Sequence, residues 1–232
     1  AGISYGMGLL DNRGPAADTW EEAGITGWYF ANRNEPVLDT MARLAELPMD
    51  AHPGERWVYG YNTDILGAMI EEISGQTLGA FLKARLFDPL GMTDTHFFLP
   101  ENKVGRLATV YSSVGDGSSV ERAPEPGHMV GQGHYVSGPR TAFSAGAGAL
   151  STAADYATFL QMMLNGGELN GTRILSRKTV ESMLSDHLGG IDFRPGQGFG
   201  LGFSIMHDPA ATGLPLSLIH ISEPTRLGMI SY

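Results

Sequence analysis

The 232-residue chain carries 15 Lys and Arg against 25 Asp and Glu, a formal net charge of -10, with 42% apolar residues and no cysteine. Acidity without a Lys/Arg block excludes nucleic acid and anionic membrane as the main partner, and the apolar fraction suffices for a sizeable core. The missing cysteines exclude disulfides and thiolate metal sites without choosing a compartment, and no run reaches the about eighteen apolar residues that a spanning helix needs.

In chain order, the first predicted helix covers Glu35 to Leu47, with Pro36 in its first turn and Leu38, Met41, Leu44 and Ala45 at helical spacing. Pro48 ends it. A second helix is expected after Asn62, which serves as its N-cap, and runs to Ser74. Ile65, Leu66, Met69, Ile70 and Ile73 form its apolar face, and Gly75 closes it. A third spans Leu78 to Phe87, before Pro89 and Gly91.

Short extended pieces follow. Leu107 to Val114 and Ser119 to Arg122 flank Gly115-Asp116-Gly117 and read as a hairpin. Pro124 to Gly138, rich in Pro, Gly and His, reads as a long loop over the mouth of a site. Thr152 caps a helix carrying Tyr156, Phe159, Leu160, Met163 and Leu164, stopped by Asn165-Gly166-Gly167. Ser176 caps another, with Val180, Met183, Leu184 and Leu188, and Phe199 to Met206 alternates as a strand does. The fold class these elements predict is mixed α/β with an antiparallel sheet.

One stretch carries chemistry: Pro53-Gly54-Glu55-Arg56-Trp57-Val58-Tyr59-Gly60-Tyr61-Asn62-Thr63-Asp64-Ile65-Leu66-Gly67, running on to Gly75. It resembles the second catalytic motif of the penicillin-recognising serine hydrolases, which include class C β-lactamases, DD-peptidases and esterases of the same fold. Three motifs mark that family: S-x-x-K, Y-x-N or Y-S-x, and a late K-T-G, H-G-G or W-G-G. No serine here is followed by lysine three places on. Ala142-Phe143-Ser144-Ala145-Gly146 lacks the first glycine of a G-x-S-x-G elbow. Only the middle motif is found.

The resemblance also touches Ala1 to Gly6, which look like the end of an L-L-x-H-T-[SA]-G-[IL] segment, and Gly146 to Thr152, which look like G-A-G-x-x-S-T. From Leu216, Leu-Ser-Leu-Ile-His-Ile-Ser-Glu-Pro-Thr-Arg looks like one reading frame of a sequencing-library transposase adapter. The expected organisation is residues 1–215 as the central and C-terminal part of one β-lactamase-like domain, and 216–232 as a non-native tail.

The resemblance makes Tyr59 the catalytic candidate. A phenol of pKa about 10 acts as a base near neutrality only if positive charge favours the phenolate. The N-terminus of the following helix and the lysine of S-x-x-K are the expected sources. In the family this tyrosine and that lysine take the serine proton during acylation. Tyr61 stands where β-lactamases and peptidases carry asparagine, whose amide binds the substrate's acylamide side chain. It is the substrate-binding candidate, and its aromatic ring favours an esterase. Taking Tyr61 as the base, with Asn62 as a slipped motif residue, is the other assignment; the spacing from Pro53-Gly54 selects Tyr59.

Remaining signals are weaker. Asp64 suits the first turn of a helix, Gly146 and Gly148 suit close backbone packing, and His134 and Tyr135 are either pocket-lining or exposed loop residues. The histidines form no H-x-x-x-H pair, and Gly196-Gln197-Gly198-Phe199-Gly200 precedes a strand instead of opening a helix. No cofactor or metal is implied. The expected function is hydrolysis of a small-molecule carboxylic ester through an acyl-enzyme, with a β-lactam or D-Ala peptide as second choice. A non-catalytic homologue that binds muropeptides or proteins is the alternative of another class.

Overall fold

A computed structural model of the chain describes residues 2–5, 16–25, 27–114, 117–123 and 133–212. Helix α1 (Ala17–Glu22) carries Trp20, which is fully buried and donates its indole N–H to the Pro48 carbonyl at 2.9 Å. Helix α2 (Val37–Leu44) buries Val37, Thr40, Met41 and Leu44 on one face. It is shorter than the expected Glu35–Leu47 span. Glu35 stays outside the helix and folds back over it, accepting from Thr40 Oγ1 at 2.8 Å and from both Arg43 η-nitrogens at 2.7 Å.

Helix α3 (Asn62–Ser74) ends at Gly75, whose φ of 65° is the left-handed stop that glycine adopts freely. Asn62 is inside the helix and Tyr61 holds the cap position without a side-chain cap bond, so the expected Asn62 cap is not made. Its buried face is only partly the expected one, since Ile65 and Ile70 do pack against the apolar clusters. Asp64, Gly67 and Ala68 point inward, while Leu66, Met69 and Ile73 are 58%, 51% and 81% exposed. Small residues win because the chain passes so close that a Cβ on Gly67 would stand 2.7 Å from Ala145 Cβ.

Thr77 caps α4 (Leu78–Leu82), accepting from Ala80 N–H at 3.2 Å. A π-helical turn, Lys83–Phe87, leads into α5 (Asp88–Leu90), and Gly91 stops the run. Pro89 therefore lies inside the helical stretch and not beyond it. The widened turn has already interrupted the regular hydrogen-bond ladder, so the missing N–H removes little.

A 3-10 helix, Glu101–Arg106, precedes the antiparallel pair β1 (Tyr111–Val114) and β2 (Ser119–Arg122), which pair Tyr111 with Arg122 and Val114 with Ser119. The expected long loop contains α6 (His134–Ser137) at its end; residues 124–132 lie outside the described residues. Thr152 caps α7 (Ala153–Leu164) through Asp155 N–H. Strands β3 (Glu168–Leu169) and β4 (Thr172–Arg173) form a small hairpin. Ser176 caps α8 (Arg177–Met183), which stops short of Leu188. The expected strand 199–206 is two strands, β5 (Gln197–Phe199) and β6 (Ser204–Met206), joined by a turn with Gly202 at φ 94°. Helix α9 (Pro209–Thr212) ends the described chain, and the proposed tail 216–232 lies outside it.

The architecture is thus the expected mixture of helices and antiparallel strands, with three two-stranded sheets among the described residues. Four apolar clusters hold the described residues, the last of them Tyr29, Ala31 and Tyr135. Trp20, Ile25, Phe30, Met41 and Tyr61 join α1, α2 and the head of α3. Leu78, Phe87, Met92 and Phe97 gather around α4 and its π turn, and Met162, Val180 and Phe203 join α7, α8 and the last hairpin. Among the described residues no helix is long and apolar enough to cross a membrane.

Candidate active site

Where the chain enters α3, Val58 is buried and Trp57 and Tyr59 on either side of it in sequence are half-buried. Tyr59 thus stands at the mouth of α3. Its ring meets the edge of Tyr5 at 5.6 Å between centroids, and Tyr5 meets Tyr61 at 4.8 Å from the other side. Gly60 makes this sandwich possible. A Cβ there would lie 2.2 Å from the Ile3 carbonyl oxygen and 2.4 Å from Ser4 Cα, so only glycine lets residues 3–5 cross the motif. Asp50 pins that crossing, its carboxylate accepting from Ser4 N–H at 2.9 Å and Ala16 N–H at 3.2 Å.

Tyr61 does not face a cleft. It is fully buried, its hydroxyl donates to the Gly27 carbonyl at 2.7 Å, and its ring packs against Trp20 and Phe30. Burial raises its pKa. The substrate contact expected from its sequence position is therefore not made by this side chain, because a hydroxyl and a ring both committed to the core have nothing left for a ligand. The same burial disfavours Tyr61 as a base. The aromatic ring that suggested a substrate contact closes the core instead.

The first turn of α3 carries a buried carboxyl. Asp64 is 0% exposed; its Oδ1 accepts from Ser144 Oγ at 2.6 Å and from Gly146 N–H at 3.2 Å. Its Oδ2 has no hydrogen-bond partner. Burial pushes its pKa up to about 6, against the lowering effect of those two donors and the Arg33 charge. A Cβ on Gly146 would stand 2.5 Å from Asp64 Oδ2 and 2.8 Å from the Tyr5 hydroxyl. Glycine at 146 thus allows a carboxyl, a phenol and a backbone turn to converge. Burial raises the Tyr5 pKa too, with the Asp64 charge the next cause.

The sequence points to Tyr59, and the structure adds Tyr5 against its ring and Ser144 on Asp64. Both lie far from the motif in the chain; Tyr5 falls within the Ala1–Gly6 resemblance segment, and Ser144 lies just before Gly146–Thr152. His134 and Tyr135 are not solvent-facing loop residues: Tyr135 is buried with its hydroxyl donating to the Ala147 carbonyl at 3.2 Å, and His134 Nδ1 lies 3.2 Å from the Tyr29 hydroxyl. Among the described residues no three His, Asp or Glu side chains gather to hold a metal.

With this geometry in view, the sequence pattern of the Beta-lactamase family matches residues 3–227. An uncharacterized Mycobacterium tuberculosis protein is 34% identical over 180 residues, 73% of this chain and 43% of that protein. Esterase EstB of Burkholderia gladioli is 31% identical over 200 residues, covering 79% of this chain and 47% of its own length. The lovastatin esterase of Penicillium rubens is 29% identical across 72% of this chain and 40% of the esterase. Among solved structures, EstCE1, a hydrolase with promiscuous acyltransferase activity, superposes with a TM-score of 0.72 at 23% identity, over 93% of this chain and 56% of that one. The chain spans under half the length of these curated relatives.

Proposed function

Since the chain belongs to the beta-lactamase family, whose characterised members include esterases and whose fold it shares, we propose that it is part of a serine hydrolase acting on short-chain carboxylic esters. The observation that carries this reading is Tyr59, half-buried at the head of α3 with Tyr5 against its ring, at the position of the family's motif tyrosine. Tyr59 moves the proton of the attacking serine and later helps activate water. Backbone amides stabilise the oxyanion. The Arg33 charge partly offsets the burial that raises the pKa of Asp64 and Tyr61, and the lysine of an S-x-x-K would supply positive charge to Tyr59. No S-x-x-K occurs in these 232 residues, so the chain alone is expected to be inactive.

Two of the named relatives are esterases, and the motif carries no asparagine two residues after Tyr59, which together favour esters over β-lactams. D-Alanyl-D-alanine carboxypeptidase relatives from Escherichia coli, at 26% identity, keep peptide hydrolysis as the second reading. Steady-state kinetics of the protein that carries this chain with an S-x-x-K segment test the choice. A higher kcat/KM for p-nitrophenyl butyrate than for nitrocefin supports the ester reading, and the reverse order refutes it.

A further inference from the structure

On the side of the molecule held by the second apolar cluster, a cavity of about 270 Å³ opens between α4, its π turn and segments 95–98 and 140–143. Its floor is aromatic. Phe87, Phe97, Phe98 and Phe143 line it, with Phe143 edge-on to Phe97 at 5.6 Å and to Phe98 at 5.5 Å. The ionisable groups on its wall are Lys83, His96 and Arg140, and no carboxylate lines it. In a chain of charge -10 this is an unusual place for cations to meet.

The three are not equivalent. Lys83 is paired with Asp88. His96 Nε2 lies 3.2 Å from Lys103 Nζ, and burial lowers its pKa. Arg140 has no carboxylate partner among the described residues. Its Nη2 donates to the carbonyls of Leu99 at 2.9 Å and Val136 at 3.1 Å, which fixes the guanidinium and leaves Nε and Nη1 without a partner among the described residues. Its backbone is held at φ 60°, a left-handed conformation that costs a non-glycine residue about 1 kcal/mol or more. A long basic side chain kept at such a position on the lining of an aromatic cavity is suited to a carboxylate, which can accept a single charge-assisted bond from Nε or Nη1.

We propose that this cavity binds a small monocarboxylic acid with one aromatic ring, the ring among the four phenylalanines and the carboxylate on Arg140. The volume sets the size, since sites for drug-sized ligands run from roughly 300 to 1,000 Å³ and this cavity is slightly smaller. The inference does not depend on the hydrolase reading, because none of its residues belongs to the Tyr59 group.

Titration calorimetry of the 232-residue chain with 4-phenylbutyrate, beside the neutral 4-phenylbutanamide, tests it. One saturable site is expected for the acid, with the amide at least tenfold weaker. Arg140→Gly removes the guanidinium at a φ that glycine adopts freely and should weaken the acid to the level of the amide, with the melting temperature measured alongside. No saturable binding at millimolar acid, equal binding of acid and amide, or wild-type affinity in a folded Arg140→Gly variant would each overturn the proposal. Should Arg140→Gly fail to fold, the acid and amide comparison on the wild-type chain decides.

Discussion

Ser144 donates its hydroxyl to Asp64 Oδ1 at 2.6 Å, tying the first turn of the motif helix to a segment eighty residues later in the chain. With Gly146 N–H on the same oxygen, this bond is the main polar compensation for a carboxyl that is otherwise buried. Asp64 Oδ2 remains without a partner. The residue therefore holds the site together while remaining costly to ionise.

That cost is pH-dependent. The folded pKa of Asp64 is raised to about 6 from an ordinary 3.8, so between those values the folded chain holds a proton that the unfolded chain has released. Stability from this group is fully present below pH 3.8 and falls as pH rises through about 6, by on the order of 3 kcal/mol. Asp64→Asn should flatten the dependence in this window, because an amide keeps an acceptor for Ser144 and Gly146 without a charge. Urea unfolding of both proteins at pH 4, 5 and 7 checks it; the same slope in the variant would assign the titration elsewhere.

Tyr61 should behave as a core residue. Tyr61→Phe leaves the Gly27 carbonyl without its 2.7 Å donor and should cost about 1 to 3 kcal/mol. Tyr61→Asn also empties a ring-sized space and should cost about 3 to 5 kcal/mol. Thermal melts that place either variant level with wild type would return Tyr61 to the list of surface contacts.

Gly60 should tolerate no side chain. Gly60→Ala would press a methyl into the Ile3 carbonyl, 2.2 Å away, with an expected cost of about 1 to 3 kcal/mol or more. Gly24, at φ 70° with nothing within 4 Å, serves as control: alanine there meets only backbone strain. Denaturation midpoints ranking Gly24→Ala below Gly60→Ala would contradict the crossing of residues 3–5 over the motif.

Much of this was legible locally. Thr152, Ser176 and Gly75 marked helix ends because capping is decided by a few adjacent residues, and the first hairpin followed from turn residues between extended runs. The β3 and β4 hairpin is marked just as locally by Asn170-Gly171, whose φ values of 50° and 81° suit a tight hairpin turn. The face of α3 was legible only in part. Its large apolar residues predicted an inward stripe, but burial was decided by Gly67, Ala68 and Asp64 meeting a distant segment. Likewise, nothing local in Tyr61 distinguishes a ring on a substrate from a ring on Trp20 and Phe30. Tyr59 was singled out by its motif, while Tyr5 against its ring and Ser144 on Asp64 became visible only in three dimensions.

The central claim is that Tyr59 handles the proton in acyl transfer. Its most direct test is kcat/KM for p-nitrophenyl butyrate, measured on Tyr59→Phe and wild-type forms of the protein that carries this chain with an S-x-x-K segment. The account predicts a fall of about 100-fold or more, the range of general acid and base contributions, with the melting temperature little changed. Wild-type kcat/KM in a folded Tyr59→Phe protein would contradict it.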